Sequence, residues 1–366
     1  MIDRHELGAW LRLMETPQLG RESARKLLAA FGSPEAAIAA TTAARAEVVG
    51  LLQGAALAQA PDRLGPLAEA TLAWLLADTP APRNVITLGD PRYPNSLLES
   101  PDPPLMLYVE GRVELLAAPA LAIVGSRSPT PQGADNAHIF ASHLSHGGLT
   151  IVSGLAMGVD AAAHTGALEG AASTIAVVGT GLDQIYPKRN LALGKRIAGS
   201  GLIVSEYSLG MLPLAANFPR RNRIIAGLAR GTLVVEAALQ SGSLITARMA
   251  NEAGREVFAI PGSIHSPQSR GCHALIKQGA KLVETAQDIL DELRWPGSTP
   301  PPGTDEAPDA GDPLLAALGF DPVTLDALVA RTGASAAELS VRLLDLELDG
   351  QVARLPGQLF QRVTRG

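Results

Sequence analysis

The 366-residue sequence predicts an α/β protein: a Rossmann-like, doubly wound, mostly parallel sheet, with a helical N-terminal domain and a winged-helix-like C-terminal domain. Short apolar runs alternate with single helical segments through the middle of the chain. Residues typical of helix starts and ends are frequent in the N-terminal part, and the C-terminal part is predicted to form two helices followed by two short β-like runs. Runs that are apolar on both faces and separated by helices are typical of strands in a parallel sheet covered on both sides.

Residues 1–80 are predicted to form the helical domain. A helix over Arg21–Phe31 ends at Gly32, and Ser33-Pro34 is typical of the start of the next helix. This arrangement resembles a helix-hairpin-helix or SAM-like unit, whose turn can offer backbone N–H groups to a phosphate. Three basic residues lie nearby, namely Arg21, Arg25 and Lys26. A helical bundle that only packs is an equally open interpretation, because the region carries 7 Lys/Arg against 9 Asp/Glu.

Residues 84–295 are predicted to form the Rossmann-like domain. A first β-like run covers Asn84–Leu88, after a boundary near Asp78–Arg83. Strands of the parallel sheet are predicted at Ala120–Gly125, Leu149–Gly154, Ser173–Gly179, Leu202–Glu206, Thr232–Glu236, Val257–Gly262 and Lys281–Glu284. Such sheets bind ligands at the carboxyl ends of their strands, near the point where the strand order reverses. Functional residues are therefore expected just after these runs.

A flexible linker is predicted over residues 296–312, because Pro, Gly and acidic residues dominate there.

The last domain, residues 313–366, contains predicted helices and β-like runs in the order of a winged helix: Thr324–Arg331, Ala336–Leu348, Val352–Leu355 and Leu359–Val363. Four carboxylates face a single Arg342 in and just after the second helix. Such a helix would repel phosphate, which favours protein interaction or plain packing over DNA binding.

Composition indicates a globular protein and restricts its class. Hydrophobic residues make up 46% of the chain, but the apolar runs stop well short of the roughly 20 residues that a membrane helix needs. The first residues lack the basic and apolar regions of a secretory signal, so a cytoplasmic location without membrane association is expected. The single cysteine, Cys272, cannot form an internal disulfide, and with only His273 beside it offers a poor zinc site.

Charge is unevenly distributed along the chain, whose formal net charge is −6. Residues 301–366 carry 5 Lys/Arg against 10 Asp/Glu, whereas residues 81–300 carry 18 against 17. An anionic partner is therefore expected to meet the middle region.

The residues that follow the predicted strands are mostly small, hydroxylated or glycine. Those expected to face a ligand are Gly125, Ser126, Arg127, Ser153, Gly154, Ser241 and Gly242. Small residues let a ligand approach the backbone, helix N-termini favour anions, and Arg127 adds a fixed charge, so a phosphate-binding rim is predicted. Neither the GxGxxG pattern of dinucleotide folds nor the GxxxxGK[ST] pattern of P-loops is present, so no cofactor is expected.

A basic stretch precedes one of the apolar strands. Residues 218–223 read FPRRNR, and no carboxylate occurs between Glu206 and Glu236. Since proline suits the first turn of a helix, this stretch is predicted to begin a helix at the rim. Its polar residues are then expected to be available to phosphate: Arg220, Arg221, Asn222 and Arg223. Arg230 lies about 10–15 Å further along by helix rise and is assigned no part in the site.

Groups suited to acid–base chemistry are present but not organised in the sequence. Asp160, His164, Asp183, Glu206 and Glu236 form no recognisable triad or metal cluster. Asp160 and His164 lie four residues apart on one helix, where an ordinary structural role is the preferred interpretation. The sequence therefore predicts a binding protein, with no catalytic residues and no metal.

Six blocks of the middle region match a known family: GSR (125–127), SGLAMGVDAAAH (153–164), GTGLDQIYPKRN (179–190), NFPRRNRIIAGLA (217–229), EAALQSGSLITARMANEAGREVFAIPG (236–262) and SRGCHALIKQGA (269–280). These blocks resemble the DNA-processing protein A family, called DprA or Smf. The resemblance spans most of residues 85–295, and the three-part layout of the chain is similar to that of the family.

The resemblance implies single-stranded DNA binding in a basic pocket of the Rossmann-like domain and a homodimer formed through that domain. It also implies loading of RecA recombinase onto incoming DNA during natural transformation, including DNA covered by single-strand-binding protein. Carried over by motif, the binding residues would be Arg127, Ser153, Gly154, Lys188, Arg220, Arg221 and Arg223. Near the rim, Tyr186, Tyr207 and Phe218 are the aromatic residues available for base stacking, so phosphate contacts and a steep salt dependence are expected.

An enzyme is the alternative interpretation. Residues 230–236, RGTLVVE, are similar to the PGGxGTxxE loop of the cytokinin-activating phosphoribohydrolases, which share the broad fold. The PGG is absent, however, and three residues separate Thr232 from Glu236. A sequence-specific regulator that binds duplex DNA through the tail is a further alternative, which the acidic helix disfavours.

Overall fold

A computed structural model describes residues 2–296 and 312–363. The linker predicted over residues 296–312 falls largely outside them. The described chain forms a helical region, a large sheet with helices on both faces, and a small helical domain with its own three-stranded sheet, which confirms the predicted fold class. Within these residues, no helix has both the length and the apolar character needed to cross a bilayer.

Six helices form the N-terminal region: α1 (Arg4–Glu15), α2 (Arg21–Phe31), α3 (Pro34–Ala39), α4 (Thr42–Val49), α5 (Leu51–Ala56) and α6 (Leu64–Leu76). The predicted helix at Arg21–Phe31 is confirmed. Gly32 ends it at φ 83°, a conformation that other residues rarely adopt. Ser33 then caps α3 by accepting a hydrogen bond from the N–H of Ala36 at 3.2 Å.

Nine strands form the large sheet: β1 (Arg83–Thr87), β2 (Met106–Gly111), β3 (Ala120–Val124), β4 (Thr150–Ser153), β5 (Thr174–Val177), β6 (Leu202–Ser205), β7 (Gly231–Val234), β8 (Glu256–Ala259) and β9 (Lys281–Leu282). Every predicted strand is present, although most are shorter than predicted. From β3 to β9 all pairs are parallel, whereas β2 joins β1 and β6 in antiparallel pairs.

The strand order reverses between β3 and β7. From β3 the chain adds β4, β5 and β6 on one side, and then crosses over to place β7, β8 and β9 on the other. Ala122 pairs with Thr232 and Val124 with Val234, so the carboxyl ends of β3 and β7 lie side by side. This is the position at which open α/β sheets bind ligands.

Strand β2 is absent from the set predicted by the sequence. Its residues, MLYVEG, are apolar and almost fully buried. Only the short α7 (Asn95–Leu98) lies between β1 and β2. The segment therefore does not follow the alternation of strands and long helices that predicts the parallel strands.

Helices cover both faces of the sheet: α8 (Pro131–His146), α9 (Val159–Ala167), α10 (Leu191–Ser200), α11 (Asn217–Leu228), α12 (Ser243–Glu252), α13 (Arg270–Lys277) and α14 (Ala286–Glu292). Short 3₁₀ turns span Val113–Ala117 and Lys188–Asn190. Helix α11 confirms the helix predicted from FPRRNR. Ile224 and Ile225 of α11 are buried in one core with Val124 and Val177, which fixes this helix across the ends of β3 and β5.

The N-terminal region shares a core with the large sheet. Trp74 of α6 packs edge-on against Tyr108 of β2, with ring centres 5.9 Å apart. Leu7, Leu27 and Ile203 belong to the same buried cluster. The helical region is therefore packed onto the sheet.

The C-terminal domain contains α15 (Pro313–Leu318), β10 (Val323–Thr324), α16 (Leu325–Thr332), α17 (Ala336–Leu348), β11 (Val352–Leu355) and β12 (Leu359–Arg362). Its strands form an antiparallel sheet in the order β10-β12-β11, which confirms the winged-helix prediction and adds α15 and β10 to it. Ser335 and Glu338 form a capping box at the start of α17. Leu328, Leu339 and Leu343 fill a separate core.

Candidate nucleic-acid interface

A cavity of about 600 Å³ opens at the carboxyl ends of β3 and β7. Its walls come from the loop after β3, the segment at 213–219, and the first turns of α11 and α12. Six of the predicted site residues line it: Gly125, Arg127, Arg221, Asn222, Ser241 and Gly242. The other six lie in segments around it: Ser126, Ser153, Gly154, Lys188, Arg220 and Arg223. We call this cavity the switch-point pocket.

The loop after β3 brings a cation to the pocket. Gly125 is tightly enclosed, since a Cβ there would lie 2.6 Å from a methyl carbon of Val159. The hydroxyl of Ser126 accepts a hydrogen bond from the N–H of Ser128 at 3.1 Å and shapes the turn. Arg127 is exposed, and its guanidinium lies 5.9 Å from the centre of the Phe218 ring. A cation–π contact of this kind holds Arg127 at the mouth.

The N-terminus of α12 forms the opposite wall. The Ser243 hydroxyl donates to the carbonyl oxygen of Gly125 at 2.7 Å, which ties this turn to the end of β3. The Ser241 hydroxyl accepts from the N–H of Ser243 at 3.3 Å. The first amide groups of the ten-residue α12, beside Gly242, lie at the pocket, where the helix dipole favours an anion.

Ser153 and Gly154 lie behind the pocket and support it. The Ser153 side chain is fully buried and its hydroxyl donates to the carbonyl oxygen of Ile123 at 2.7 Å. The structure thus contradicts the expectation that Ser153 offers a hydroxyl to a ligand. Gly154 leaves space for Arg221, because a Cβ on Gly154 would lie 1.8 Å from one of its terminal nitrogens.

Arg221 is a buried cation at the pocket wall. Only 4% of the residue is exposed, and its Nη1 donates to the carbonyl oxygen of Val177 at the end of β5. Burial lowers its pKa to about 10, against the opposing charge of Asp160, so the guanidinium stays charged at neutral pH. Its Nε–H has no hydrogen-bond partner among the described residues.

Asp160 and His164 organise the loop between β4 and α9. Asp160 accepts hydrogen bonds from the N–H groups of Gly154 at 3.1 Å and Ala156 at 3.2 Å. His164 Nε2 accepts from the N–H of Leu155 at 3.2 Å, while its Nδ1 lies 2.7 Å from the hydroxyl of Thr174. Burial, reinforced by the charge of Arg221, lowers the pKa of His164 to about 3, so the ring is neutral. The structural role preferred for this pair agrees with these contacts.

Arg223 is paired with carboxylates, contrary to prediction. Its Nη2 lies 2.6 Å from Glu206 and its Nε 2.8 Å from Asp102. Arg21 and Arg25 of α2 also bind Asp102, each at 2.7 Å. We call these five residues the arginine–carboxylate cluster. The absence of nearby acids in the sequence is misleading here, because Asp102 precedes Arg223 by 121 positions and comes from another loop.

The segments around the pocket contain exposed cations without a carboxylate partner among the described residues, including Arg127, Lys188 and Arg220. Tyr186 and Phe218 pack against each other at the mouth, with ring centres 5.5 Å apart, and Tyr186 is 46% exposed. The Tyr207 hydroxyl donates to the carbonyl oxygen of Asn217, the residue before Phe218, at 3.3 Å. Exposed cations beside an accessible aromatic pair suit phosphates and bases.

Glu236, the residue that suggests an enzyme, has a structural role. Its carboxylate accepts from both the N–H of Thr130 at 3.0 Å and the hydroxyl of Thr130 at 2.6 Å, at the start of α8. Burial raises its pKa, although these hydrogen bonds act in the opposite direction. No group of three or more His, Cys, Asp or Glu side chains in the described ranges could hold a metal ion.

Two residues outside the predicted set also support the site. Asn190 donates to the carbonyl oxygens of Leu155 at 2.9 Å and Ala156 at 3.1 Å, and so joins the YPKRN segment to the loop after β4. The sequence did offer one indication that Asn190 belongs to the site, namely its position in the YPKRN block. Asp102 had none, because its partners all lie far away in the sequence.

The fold and the site define a three-part protein whose Rossmann-like domain has a cavity with cationic residues at the reversal of strand order. Residues 84–294 match the family model of DNA recombination-mediator protein A, and residues 298–358 match the DprA winged helix domain. The chain belongs to the DprA/Smf family. Because that family consists of recombination mediators, the expectation of a protein that is not an enzyme is confirmed as well.

Relatives cover most of the chain. Protein Smf of Escherichia coli is 43% identical over 299 residues, which is 79% of each chain. DNA processing protein DprA of Streptococcus pneumoniae is 51% identical over 206 residues, or 56% of this chain and 73% of the relative.

Solved structures of two relatives share the fold. The X-ray structure of DNA processing protein A from Streptococcus pneumoniae has a TM-score of 0.68 at 40% identity and covers 80% of this chain and 98% of its own. DNA processing protein A from Helicobacter pylori, studied for its single-stranded DNA binding mode, has a TM-score of 0.53 at 33% identity. It covers 58% of this chain and 95% of its own.

Proposed function

We propose that the chain binds single-stranded DNA in the switch-point pocket and loads RecA recombinase onto incoming DNA in the cytoplasm during natural transformation. The pocket with its exposed cations is the observation that carries this proposal. Arg127, Lys188 and Arg220 are available to phosphates, and Arg221 adds a buried charge to the wall. Membership of a recombination-mediator family and the DNA-binding mode studied in the Helicobacter pylori relative support it.

The twelve predicted site residues take different parts in this proposal. Arg127, Lys188, Arg220 and Asn222 contact phosphates, together with the amide groups around Ser241 and Gly242. Ser126 shapes the loop that presents Arg127. Ser153, Gly154, Arg221 and Arg223 hold the strand ends and α11 in place, and Gly125 permits their close packing.

A salt series tests the DNA site. Fluorescence anisotropy would measure the affinity of the full chain for single-stranded and duplex oligonucleotides of equal length. We expect preference for the single strand, and an affinity that falls steeply as salt rises, because phosphate contacts release counterions. Arg127→Ala should weaken binding and flatten the slope by roughly one counterion. Arg4→Ala, an exposed arginine of α1 outside the pocket, is the matched control. Affinity that is insensitive to salt would contradict the proposal.

Recombinase loading is tested separately. We propose that a homodimer, formed through the Rossmann-like domain, delivers RecA to DNA covered by single-strand-binding protein. Filament formation by RecA on covered DNA should accelerate with the wild-type chain and not with Arg127→Ala. Equal acceleration by both would show that loading does not use the switch-point pocket. Sedimentation velocity would report the dimer.

A further inference from the structure

A second cavity lies between the N-terminal region and the large sheet. It has a volume of about 720 Å³ and is formed by α6 on one side and the loop at 208–214 on the other. Pockets for small ligands span about 300–1,000 Å³, so it is large enough for a nucleobase. Its walls are largely apolar, with Leu67, Trp74, Leu209 and Met211 among them. We call it the α6 groove.

One strap of chain separates the α6 groove from the switch-point pocket. This strap consists of residues 212–215. Leu212 and Leu214 line the α6 groove, and Pro213 and Ala215 line the switch-point pocket. Leu212 and Leu214 are 58% and 52% exposed, so the top of the strap is an open apolar ridge. A DNA strand leaving the pocket needs to cross only this ridge to reach the groove.

The two charged side chains that line the groove, Arg63 and Asp183, each have a partner within the protein. Arg63 pairs with Glu15 of α1, and Asp183 accepts a hydrogen bond from the N–H of Gly210 at 2.9 Å. Their opposite signs leave the groove without a net charge that would attract phosphate. An apolar, electrically balanced groove next to a cationic pocket suits the flat, neutral part of a nucleotide, its base.

Trp74 is a mostly buried part of the groove wall, packed against Tyr108 and with the guanidinium of Arg83 5.0 Å from its ring centre. The residue is 8% exposed, and its indole N–H has no hydrogen-bond acceptor among the described residues. Buried indole N–H groups usually have an acceptor. This nitrogen lies inside the wall, so the groove offers a base its apolar surface and no hydrogen bond from Trp74.

We propose that the α6 groove receives a base of the same DNA strand whose phosphates lie in the switch-point pocket. This inference rests on the proposed function and extends it: the N-terminal region contacts DNA through α6. The basic residues of α2 are not assigned that contact, since Arg21 and Arg25 are bound to Asp102 and Lys26 pairs with Glu22.

The test compares two oligonucleotides with identical phosphates, oligo(dT) and the same oligomer with internal abasic sites. Wild type should bind oligo(dT) more tightly, by roughly 5- to 150-fold for each stacked base that is lost. Ala70→Phe fills the groove from an exposed position on α6. This variant should lose the part of the preference for oligo(dT) that the groove supplies, with unchanged affinity for the partly abasic oligomer, whereas stacking on Tyr186 and Phe218 is retained. Ala43→Phe, an exposed alanine of α4 outside the groove, should behave as wild type.

The outcomes separate the two proposals. If Arg127→Ala weakens binding of both oligomers while Ala70→Phe behaves as wild type, the DNA pocket stands and the groove inference fails. A wild-type chain that binds neither oligomer overturns the proposed function itself. Equal loss on both oligomers in Ala70→Phe would show a general disturbance, or a groove that serves a protein partner, and would also overturn the inference.

Fluorescence gives a second readout. The chain has three tryptophans, so Trp10→Phe with Trp295→Phe leaves Trp74 as the sole tryptophan. Oligo(dT) should quench this emission and the partly abasic oligomer should not. Equal quenching by both would contradict a base in the groove.

Discussion

At the scale of single residues, Gly154 and Arg221 form one unit. The guanidinium occupies the space that any side chain at position 154 would need, and its Nη1 holds the carbonyl oxygen of Val177. A buried arginine is costly to desolvate, so its position depends on close fit and on hydrogen bonds. Even the smallest side chain at Gly154 would therefore displace the guanidinium of Arg221.

Gly154→Ala should destabilise the chain by about 1–3 kcal/mol, the usual cost of overpacking. Single-stranded DNA affinity should fall as well, because Arg221 and α11 are displaced. Urea unfolding and anisotropy would measure the two effects. Gly199→Ala is the matched control, since nothing lies within 4 Å of a Cβ at that helical position. The control should be neutral or stabilising by up to about 1 kcal/mol. Equal behaviour of the two variants would contradict this account.

At the scale of elements, α11 directs its three arginines to different surroundings. Arg220 is exposed, Arg221 is buried against β5, and Arg223 joins the arginine–carboxylate cluster. Successive helical residues are turned by about 100°, so neighbouring arginines cannot all face one rim. The sequence predicts the helix and its basic character, but which arginine faces the pocket depends on how α11 lies across the sheet.

Only features encoded by neighbouring residues could be predicted from the sequence, and this holds for strands and contacts as well. The parallel strands are continuous apolar runs followed by small residues, and both signals are local. Strand β2 breaks the alternation, and the contact between Asp102 and Arg223 joins positions far apart in the chain. Local patterns therefore predict the pocket and its loops. They do not predict the ion pairs that decide which charges remain free.

The arginine–carboxylate cluster predicts an acid-sensitive junction between α2, α11 and the sheet. Burial raises the pKa of Asp102, but Arg21, Arg223 and Arg25 outweigh it and hold the pKa at about 2. Because the folded-state pKa is depressed, its stabilising contribution is present above the unfolded pKa of about 3.9 and is lost as pH falls toward 2.

Asp102→Asn should therefore lower the free energy of unfolding at pH 7 by about 1–3 kcal/mol, as expected for hydrogen bonds to a charged, half-buried group. The difference from wild type should shrink between about pH 4 and pH 2, where wild type loses the same contribution. Urea unfolding across this range would measure it. Asp62→Asn, which removes an exposed carboxylate outside the cluster, should show a much smaller difference at pH 7. A constant difference at every pH would exclude a role for the Asp102 charge.

At the scale of the whole molecule, the two flanking regions relate differently to the sheet. The N-terminal helices share a core with β2 and β6, and the α2 arginines reach α11 through Asp102. The winged-helix domain has a core of its own. Removing the N-terminal helices would expose Tyr108 and the surrounding core, whereas removing the winged-helix domain would leave the large sheet intact.

Deletion of residues 297–366 should thus leave affinity for single-stranded DNA within a few fold of wild type. The pocket residues all lie before this segment, and residues 301–366 carry 5 Lys/Arg against 10 Asp/Glu, which gives them no electrostatic attraction for phosphate. Since losing acidic residues can only reduce repulsion, any change at low salt should be a gain. Anisotropy with the truncated and full chains at two salt concentrations would measure it. Loss of binding on truncation would place the DNA site in the winged-helix domain and contradict the switch-point pocket.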